Sequence, residues 1–369
     1  MKISHNNINF NGYDARPLKA VCMTHVKNGI ANELDVIGKK VGFDVFVVSS
    51  KKIIPAENLK DSKIDPILNS WAQDYTVLTP KKNLRANKFI ENYTNLLQRQ
   101  FPDYNYSFEH NILPAGGNIY FIQNSDGSQK MLAGKNDYPI INNDAKIFDV
   151  DKIDYVPQLD FHIDMFLRPL DNNRILLTDD DMTIDIIKNA IKKFDKYGKS
   201  KFYTLSGIKA LTVKSNLQTL LNNFEEALSK YTYKNTKSSE VKKCLEEKGY
   251  DVISVPGRLI VEPPYKKNKI DKKANLFNYM NAIVTKDKNN DLVYITNKSL
   301  LDEELGISKE LAKKVGFSFE DAFINSIAPI INKENIYFIS GENNALSSIL
   351  KNYSGGIHCM ITEFPLEKN

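Results

Sequence analysis

The sequence has few cysteines and no long apolar run. Of its 369 residues only Cys22, Cys244 and Cys359 are cysteines, and no two of them form a C-x-x-C pair. A sparse, odd set argues against a disulfide framework and fits a reducing compartment. No apolar run approaches the roughly 20 residues of a membrane helix, and the first residues include no apolar signal segment. We therefore expect a cytoplasmic protein without a membrane partner.

An excess of charge of one sign is also missing. Lys and Arg number 50 against 45 Asp and Glu, so the formal net charge is only +5. A nucleic-acid surface needs clustered basic residues with interleaved aromatics, and the lysines here are scattered among acids. We therefore expect no nucleic-acid partner. The chain also lacks the G-x-G-x-x-G and G-x-x-x-x-G-K-[ST] loops that cradle phosphates, so nothing supports a doubly wound nucleotide-binding domain.

The chain alternates between short apolar runs and segments of helical period. Residues 19–23, 32–41 and 43–48 predict a strand, a helix and a strand. The rest of the chain predicts hairpins at 118–123 with 130–132, 164–170 with 174–178 and 282–285 with 292–296, helices over 83–101 and 318–331, and strands over 336–340 and 356–362. This recurrence of strand, hairpin and helix predicts a pseudo-repeated α/β domain.

One region departs from that alternation. Residues 182–248 contain three segments of helical period, at 182–197, 217–231 and 241–248. Asp179–Asp181 would place negative charge at the N-terminus of the first helix, where the helix dipole favours it. We expect a single domain over residues 1–369 with a mostly helical insertion at 182–248.

Four short segments carry residues suited to chemistry, namely Trp71–Tyr75, Ala115–Asn118, Phe161–Phe166 and Gly355–Met360. If the third is a strand, His162 and Asp164 share one face. A histidine and a carboxylate on one face suit general acid–base catalysis beside a cation. The same alternation is more often an ordinary solvated strand face, so the spacing alone leaves both interpretations open.

Cys359 and Trp71 allow two interpretations in the same way. Cys359 follows two glycines that permit close backbone approach, and a single cysteine with a distant histidine is a candidate nucleophile. A lone cysteine is more often a small buried hydrophobe. Trp71 and Asp74 would suit a cationic ligand as aromatic wall and carboxylate, although packing and a turn cap explain such a pair more often.

Taken together and in this order, the four segments resemble those of the guanidino-group modifying enzymes. That superfamily includes agmatine deiminase, arginine deiminase, bacterial-type peptidylarginine deiminase and the amidinotransferases, and the motifs are most similar to the first and third. The matches pair Trp71–Tyr75 with W-x-R-D-x, Ala115–Asn118 with E-G-G-[ND], residues 162–164 with H-[VIL]-D and residues 356–360 with G-x-I-H-C. Residues 277–284, with Asn281, resemble the strand before the last motif.

The resemblance implies the pentein fold, a five-bladed α/β propeller of pseudo-repeated ββαβ modules. It implies a hydrolase in which the Cys359 thiolate attacks the carbon of a guanidino group. His162 would protonate the leaving nitrogen and then activate the water that resolves the covalent S-linked intermediate. Neither a metal nor an organic cofactor takes part in such a reaction.

The resemblance also implies a substrate site. Asp74 and Asp164 would grip the planar guanidinium through paired, charge-assisted hydrogen bonds, with Trp71, Gly117 and Asn118 lining the same site. The implied partner is a small guanidino compound, such as agmatine or arginine, or an arginine-containing peptide. A homo-oligomer is an allowed assembly.

Two positions depart from the family pattern. Ala115 stands where the family has a glutamate that supports the histidine, so Glu109 or another acid would have to replace it. Gln73 stands where agmatine and arginine deiminases have arginine. A weak or inactive guanidino-binding relative and an amidinotransferase are therefore the alternatives. Free arginine would need a cationic anchor, for which Arg16 or Arg168 could serve.

Overall fold

The computed structural model describes residues 15–24, 29–61, 73, 76–109, 114–123, 127–137, 145–171, 173–231, 236–258, 260–262, 269–270, 278–347 and 355–366. The strands are β1 Leu18–Met23, β2 Asp44–Val48, β3 Ile53–Pro55, β4 Thr76–Leu78, β5 Asn83–Asn87, β6 Asn105–Glu109, β7 Ile119–Gln123, β8 Gln129–Gly134, β9 Lys152–Val156, β10 Leu167–Pro169, β11 Arg174–Thr178, β12 Asp251–Val255, β13 Val261–Glu262, β14 Lys269–Ile270, β15 Ile283–Lys286, β16 Leu292–Asn297, β17 Ile336–Ile339 and β18 Ile361–Pro365. The α-helices are α1 Ile30–Val41, α2 Glu91–Gln100, α3 Asp180–Ser200, α4 Leu205–Tyr231, α5 Ser238–Glu247, α6 Leu301–Leu305, α7 Lys309–Val315 and α8 Phe319–Ile327. None of these described helices combines the length and apolarity of a membrane-crossing segment.

Five small sheets repeat one plan. In each, a first strand pairs antiparallel with a second, and the second pairs parallel with a third. Parallel neighbours need a long crossover, and helical segments supply it. We number the sheets as blades, with blade 1 made of β18, β1, β2 and β3, blade 2 of β4–β6, blade 3 of β7–β9, blade 4 of β10–β12, and blade 5 of β15–β17.

The blades close into a ring through their apolar contacts. Each of five buried clusters contains residues of two successive blades, for example Cys22 with Leu84, Val77 with Phe121, Leu132 with Ile175, Leu176 with Tyr294, and Ile295 with Val45. The last of these joins blade 5 to blade 1. The strand β18 near the end of the chain also pairs with β1 near its start. Burial of apolar surface between all five neighbours therefore closes a five-bladed α/β ring.

The predicted helical block is helical. Asp179 caps α3 by accepting a hydrogen bond from the backbone N–H of Met182 at 3.0 Å. The helices α3 and α4 pack against each other, and α5 packs on β11 and β12 as the crossover of blade 4. Buried residues of α3 and α4 belong to the cluster between blades 4 and 5. We therefore describe α3 and α4 as a helical hairpin added to the blade 4 crossover, while the bounds 182–248 as an insertion remain a prediction.

Most predicted hairpins are confirmed, but three segments differ. Residues 163–165 and 358–360 form single turns of 3-10 helix, so β10 begins only at Leu167 and β18 only at Ile361. The predicted helix 83–101 begins as strand β5, because β4 and β6 hydrogen-bond it on both sides. Tertiary pairing overrides local helical propensity there. The turn 124–126 lies outside the described residues.

Candidate active site

The polar motifs lie just before the first strand of a blade. Gly116–Asn118 precedes β7, Ile163–Met165 precedes β10 and His358–Met360 precedes β18, each as one turn of 3-10 helix. Asn278–Asn281 precedes β15, and Gln73 precedes β4. Because the blades form a closed ring, equivalent positions of neighbouring blades face one another. The motifs therefore converge although they are far apart in the chain.

Cys359 and Asp164 are in contact through this convergence. The Sγ atom of Cys359 lies 3.5 Å from Oδ2 of Asp164. The side-chain amide nitrogen of Asn281 lies 3.0 Å from that sulfur and 2.8 Å from the same carboxylate oxygen. Cys359 is 3% exposed and Asp164 is fully buried. The predicted nucleophile and one predicted guanidinium-binding carboxylate thus share a buried polar cluster, with Asn281 donating to both.

His358 adds a neutral imidazole to the cluster. Its Nδ1 lies 3.1 Å from Oδ2 of Asp164, and its Nε2 lies 2.7 Å from Nη1 of Arg168. A guanidinium can only donate, so Nε2 accepts and Nδ1 carries the proton. Burial, followed by the charge of Arg168, lowers the pKa of His358, which agrees with a neutral ring. The side-chain amide of Gln73 bonds both His358 and Asp164. Its oxygen accepts from Nδ1 of His358 at 2.8 Å, and its nitrogen donates to Oδ2 of Asp164 at 3.2 Å.

His162 and Asp164 approach the same point on the backbone of Gly117. A methyl group added at Gly117 would lie 2.8 Å from Nδ1 of His162 and 3.2 Å from Oδ1 of Asp164. The pair thus faces one site although its segment is a 3-10 turn. A Cβ atom at 117 would fit only if the side chains of His162 and Asp164 moved away.

Substituting alanine at Gly117 should therefore displace His162 and Asp164 while the fold survives. A misplacement of about 1 Å in a catalytic group can cost roughly 10²-fold in rate, so we expect a fall of about that size in kcat/KM for a guanidino substrate. Gly316→Ala is the control. Its methyl would meet nothing within 4 Å, and only its positive φ of 71° would be strained. That variant should lose stability and keep activity, whereas full activity of Gly117→Ala would contradict the geometry.

Two asparagines hold the backbone of the neighbouring blade. Oδ1 of Asn118 accepts from the backbone N–H of Ile163 at 2.9 Å. Oδ1 of Asn281 likewise accepts from the backbone N–H of His358 at 2.9 Å. Both asparagines are buried. Asn118 fixes the turn that carries Asp164, and Asn281 fixes the turn that carries Cys359. These contacts make both asparagines positioning residues. Contact between Asn118 and a substrate stays a prediction.

Several predicted roles have a different outcome or none. Trp71 and Asp74 lie outside the described residues, so their roles stay predictions. Glu109 forms an ion pair with Arg85 at 2.5 Å. Support of His162 by Glu109 stays a prediction. Arg168 contacts His358 and, at 3.5 Å, Glu363. Those contacts leave Arg168 poorly suited to anchor a substrate carboxylate.

His358 and Asn281 belong to the cluster but were not predicted as site residues. Both stand in segments whose motifs the sequence displays, His358 next to Cys359 and Asn281 just before strand β15. A polar residue just before the first strand of a hairpin was therefore the sequence feature that could have identified them as site residues. In the described part of the chain, no group of three His, Cys, Asp or Glu side chains is placed to hold a metal ion.

Asp160 is a buried acid close to this cluster. Burial raises the pKa of Asp160 to about 7, although the backbone N–H of Phe161 and the charges of Arg258 and His162 act against the rise. The Oδ1 atom accepts from Phe161 N–H at 2.8 Å. Asp160 is thus a buried acid whose charge interacts with His162.

The raised pKa of Asp160 predicts a pH-dependent stability. A carboxyl that binds its proton more tightly when folded stabilises the fold at low pH and loses this contribution as pH rises from about 4 through about 7. Between pH 5 and pH 8 we expect the free energy of unfolding to fall by about 2 to 3 kcal/mol more in the wild type than in Asp160→Asn. Urea titrations at both pH values measure this. Because both proteins retain His358, its titration cancels, and identical pH dependence would refute the prediction.

A small cavity is lined by His358 but not by Asp164 or Cys359. It has a volume of about 100 Å³, and Tyr120, Arg168, Glu363 and Gln73 are among its lining residues. The ring of Tyr120 stacks on His358 with centroids 5.9 Å apart, and the Arg168 guanidinium lies over Tyr120 at 5.1 Å. His358 therefore lines this cavity and also contacts Asp164. It connects Arg168 to Asp164 through its two ring nitrogens.

Known proteins resemble this chain in structure and not in sequence. The sequence matches no protein-family model and no curated protein. The structure of C. jejuni agmatine deiminase is similar, with a TM-score of 0.51 and 16% identity over 99% of this chain and 100% of that one. A substrate-bound form of that enzyme gives 0.48 at 15% identity, covering 98% and 99% of the two chains. A DDAH from Pseudomonas aeruginosa in complex with citrulline gives 0.41 at 10%, covering 94% and 100%. The closed ring of five blades and the likeness to agmatine deiminase together identify the fold of this chain as the pentein fold, a five-bladed α/β propeller.

Proposed function

We propose that this chain is a cysteine-dependent guanidine deiminase that releases ammonia from a guanidino group. The observation that supports this most is the contact of Cys359, Asp164 and Asn281 at the strand starts of a pentein ring, with His162 beside them. A buried thiol and carboxylate with a half-buried imidazole beside them are the groups that guanidinium hydrolysis needs.

Asp164 is suited to bind the planar cation. Its Oδ2 atom already accepts from Asn281 and His358. Its Oδ1 atom is buried and has no hydrogen-bond partner among the described residues, which is costly for a carboxylate. A guanidinium N–H would satisfy that oxygen with a charge-assisted bond. Asp74 would supply the second carboxylate, as the family resemblance implies.

Cys359 would act as the nucleophile. The Asn281 amide at 3.0 Å offers a hydrogen bond to the sulfur, and a bound guanidinium adds an opposite charge. Both favour the thiolate, which is the attacking form. The thiolate sulfur bonds to the guanidinium carbon, His162 donates a proton to the leaving nitrogen, and the C–N bond breaks to release ammonia. Water, deprotonated by His162, then attacks the same carbon and expels the thiolate, so that the product carries a ureido group.

Transfer to an amine is the second candidate. Cys359 is 3% exposed and Asp164 is fully buried, and a site that excludes bulk water favours an amine as the second nucleophile. The first leaving group would then be the amine of the donor, the acceptor amine would take the amidino group from the sulfur, and no ammonia would be released. Whether water or an amine attacks the S-linked intermediate would decide between hydrolysis and transfer.

Among guanidino substrates we propose agmatine as the first to test. Agmatine has no carboxylate and therefore needs no cationic anchor, and Arg168 is engaged by His358 and Glu363. The experiment measures ammonia release from agmatine, free arginine, a blocked arginine peptide and a small guanidino acid. Each substrate is also assayed with a primary amine acceptor, followed by mass spectrometry. Release from one substrate supports the deiminase and names its class. An amidino product on the acceptor would replace hydrolysis by transfer, and binding without turnover would indicate an inactive relative.

A further inference from the structure

The turn between α3 and α4 carries a cluster of exposed apolar side chains that the proposed chemistry does not use. Phe202 is 55% exposed, Tyr203 98%, Leu205 68% and Ile208 53%. We call these four residues the hairpin tip. Large apolar side chains scattered singly over a surface are ordinary, whereas a contiguous group marks an interaction site. The three other strongly exposed apolar residues that the structure describes lie on separate elements.

Hydrogen bonds within the turn 201–207 fix the backbone that carries these side chains. The hydroxyl and backbone N–H of Thr204 both donate to the carbonyl of Lys201, at 2.7 and 2.9 Å. The hydroxyl of Thr204 also accepts from the backbone N–H of Gly207 at 3.1 Å. A methyl group at Gly207 would collide with the Lys201 carbonyl at 1.9 Å, so the turn is as tight as glycine permits. The hairpin tip is therefore held outward by a well-bonded turn.

Lysines flank the hairpin tip along the last turns of α3 and the first turn of α4, and we call them the lysine collar. Between residues 192 and 209 the chain has six lysines, namely Lys192, Lys193, Lys196, Lys199, Lys201 and Lys209, all of them exposed. The only acid in that stretch is Asp195, which pairs with Lys199 at 2.6 Å and with Lys214 at 3.7 Å. Even with Asp195 and with Glu310 of α7, whose charge interacts with Lys209, six lysines against two acids leave an excess of positive charge near the hairpin tip.

We propose that the hairpin tip inserts into the headgroup region of an anionic lipid bilayer. Apolar and aromatic residues in front of a lysine collar combine the two forces of peripheral membrane binding, which are burial of apolar surface and attraction to anionic lipids. The end of a two-helix hairpin is narrow and convex, whereas a stable protein interface buries about 800 Å² on each partner. A soft bilayer accepts such a tip more readily than a protein surface does. The proposal differs from the expectation of no membrane partner, which followed from the lack of a spanning run and which the vesicle experiment would test.

Vesicle sedimentation tests the proposal with the full-length protein. We expect binding to vesicles of phosphatidylcholine with 30% phosphatidylserine, at least ten times weaker binding to pure phosphatidylcholine, and release by salt because the attraction is screened. The triple variant Phe202→Ser/Tyr203→Ser/Leu205→Ser should lose binding at least tenfold. Lys199→Glu/Lys201→Glu should lose the preference for the anionic lipid.

The control is Val36→Ser, which removes an apolar side chain that is 70% exposed on α1 and should bind vesicles like the wild type. The tip variants should keep the activity and circular dichroism of the wild type, which separates this test from that of the proposed function. No sedimentation with anionic vesicles, or equal loss in Val36→Ser, would overturn the proposal. Tip-dependent dimers in lipid-free sedimentation equilibrium would overturn it in favour of a second copy of the chain.

Discussion

Replacing Cys359 with alanine should abolish turnover of the guanidino substrate and leave the protein folded. Without a sulfur no covalent intermediate forms, so we expect kcat to fall by at least ~10³-fold, as for other removed nucleophiles. The change removes one buried atom and should lower the free energy of unfolding by no more than about 1 to 2 kcal/mol. Ammonia release and urea denaturation measure the two effects on one sample.

Cys244→Ala is the matched control for that experiment. Cys244 is half-buried on α5, and its sulfur lies 3.9 Å from the carbonyl oxygen of Tyr155 and takes part in none of the site contacts described above. It should retain full activity. If Cys359→Ala instead unfolds, Cys359 is a core residue, and if the variant keeps turning over, another group is the nucleophile. Either result would contradict the proposed chemistry.

Replacing Asp164 with asparagine should damage both binding and chemistry. The variant loses the negative charge that would hold the guanidinium. The amide oxygen would take the place of Oδ2 and keep the hydrogen bonds from Asn281 and His358 at 2.8 and 3.1 Å. The amide nitrogen would then stand at the place of Oδ1 and face the N–H donors of the guanidinium. We expect kcat/KM to fall by roughly 10³-fold or more. Turning the charge-assisted bonds from Asn281 and His358 into neutral ones should also cost about 1 kcal/mol of stability.

Asp154→Asn separates the two effects. Asp154 is 1% exposed and accepts a hydrogen bond from the hydroxyl of Tyr250 at 3.0 Å, in blade 3 and in none of the site contacts described above. It should lose a comparable amount of stability and keep its activity. The assignment of Asp164 would be wrong if Asp164→Asn lost stability alone. Steady-state kinetics beside thermal unfolding of both variants distinguishes the outcomes.

Much of the fold followed from sequence periodicity. The hairpin β15–β16 and the helix α1 lie within a residue or two of their predicted positions, because their apolar spacing matches their burial. Periodicity failed where pairing overrode it, as in β5, and where a polar turn precedes a strand, as at 163–165 and 358–360. In those turns, side chains of a neighbouring blade bond the backbone, and no local pattern encodes a partner so distant in sequence.

The sequence by itself determined the chemical inventory of this protein. It supplied a cysteine after two glycines near its end, the pair His162 and Asp164, and motifs in an order that resembles the guanidino-modifying enzymes. Only the tertiary structure decided which groups meet. Asp164 contacts Cys359 across 195 residues of chain, and Asn281 contacts Cys359 across 78. The physical reason is that apolar burial between five successive blades closes the ring, and closure brings the strand starts, with their polar turns, to one place.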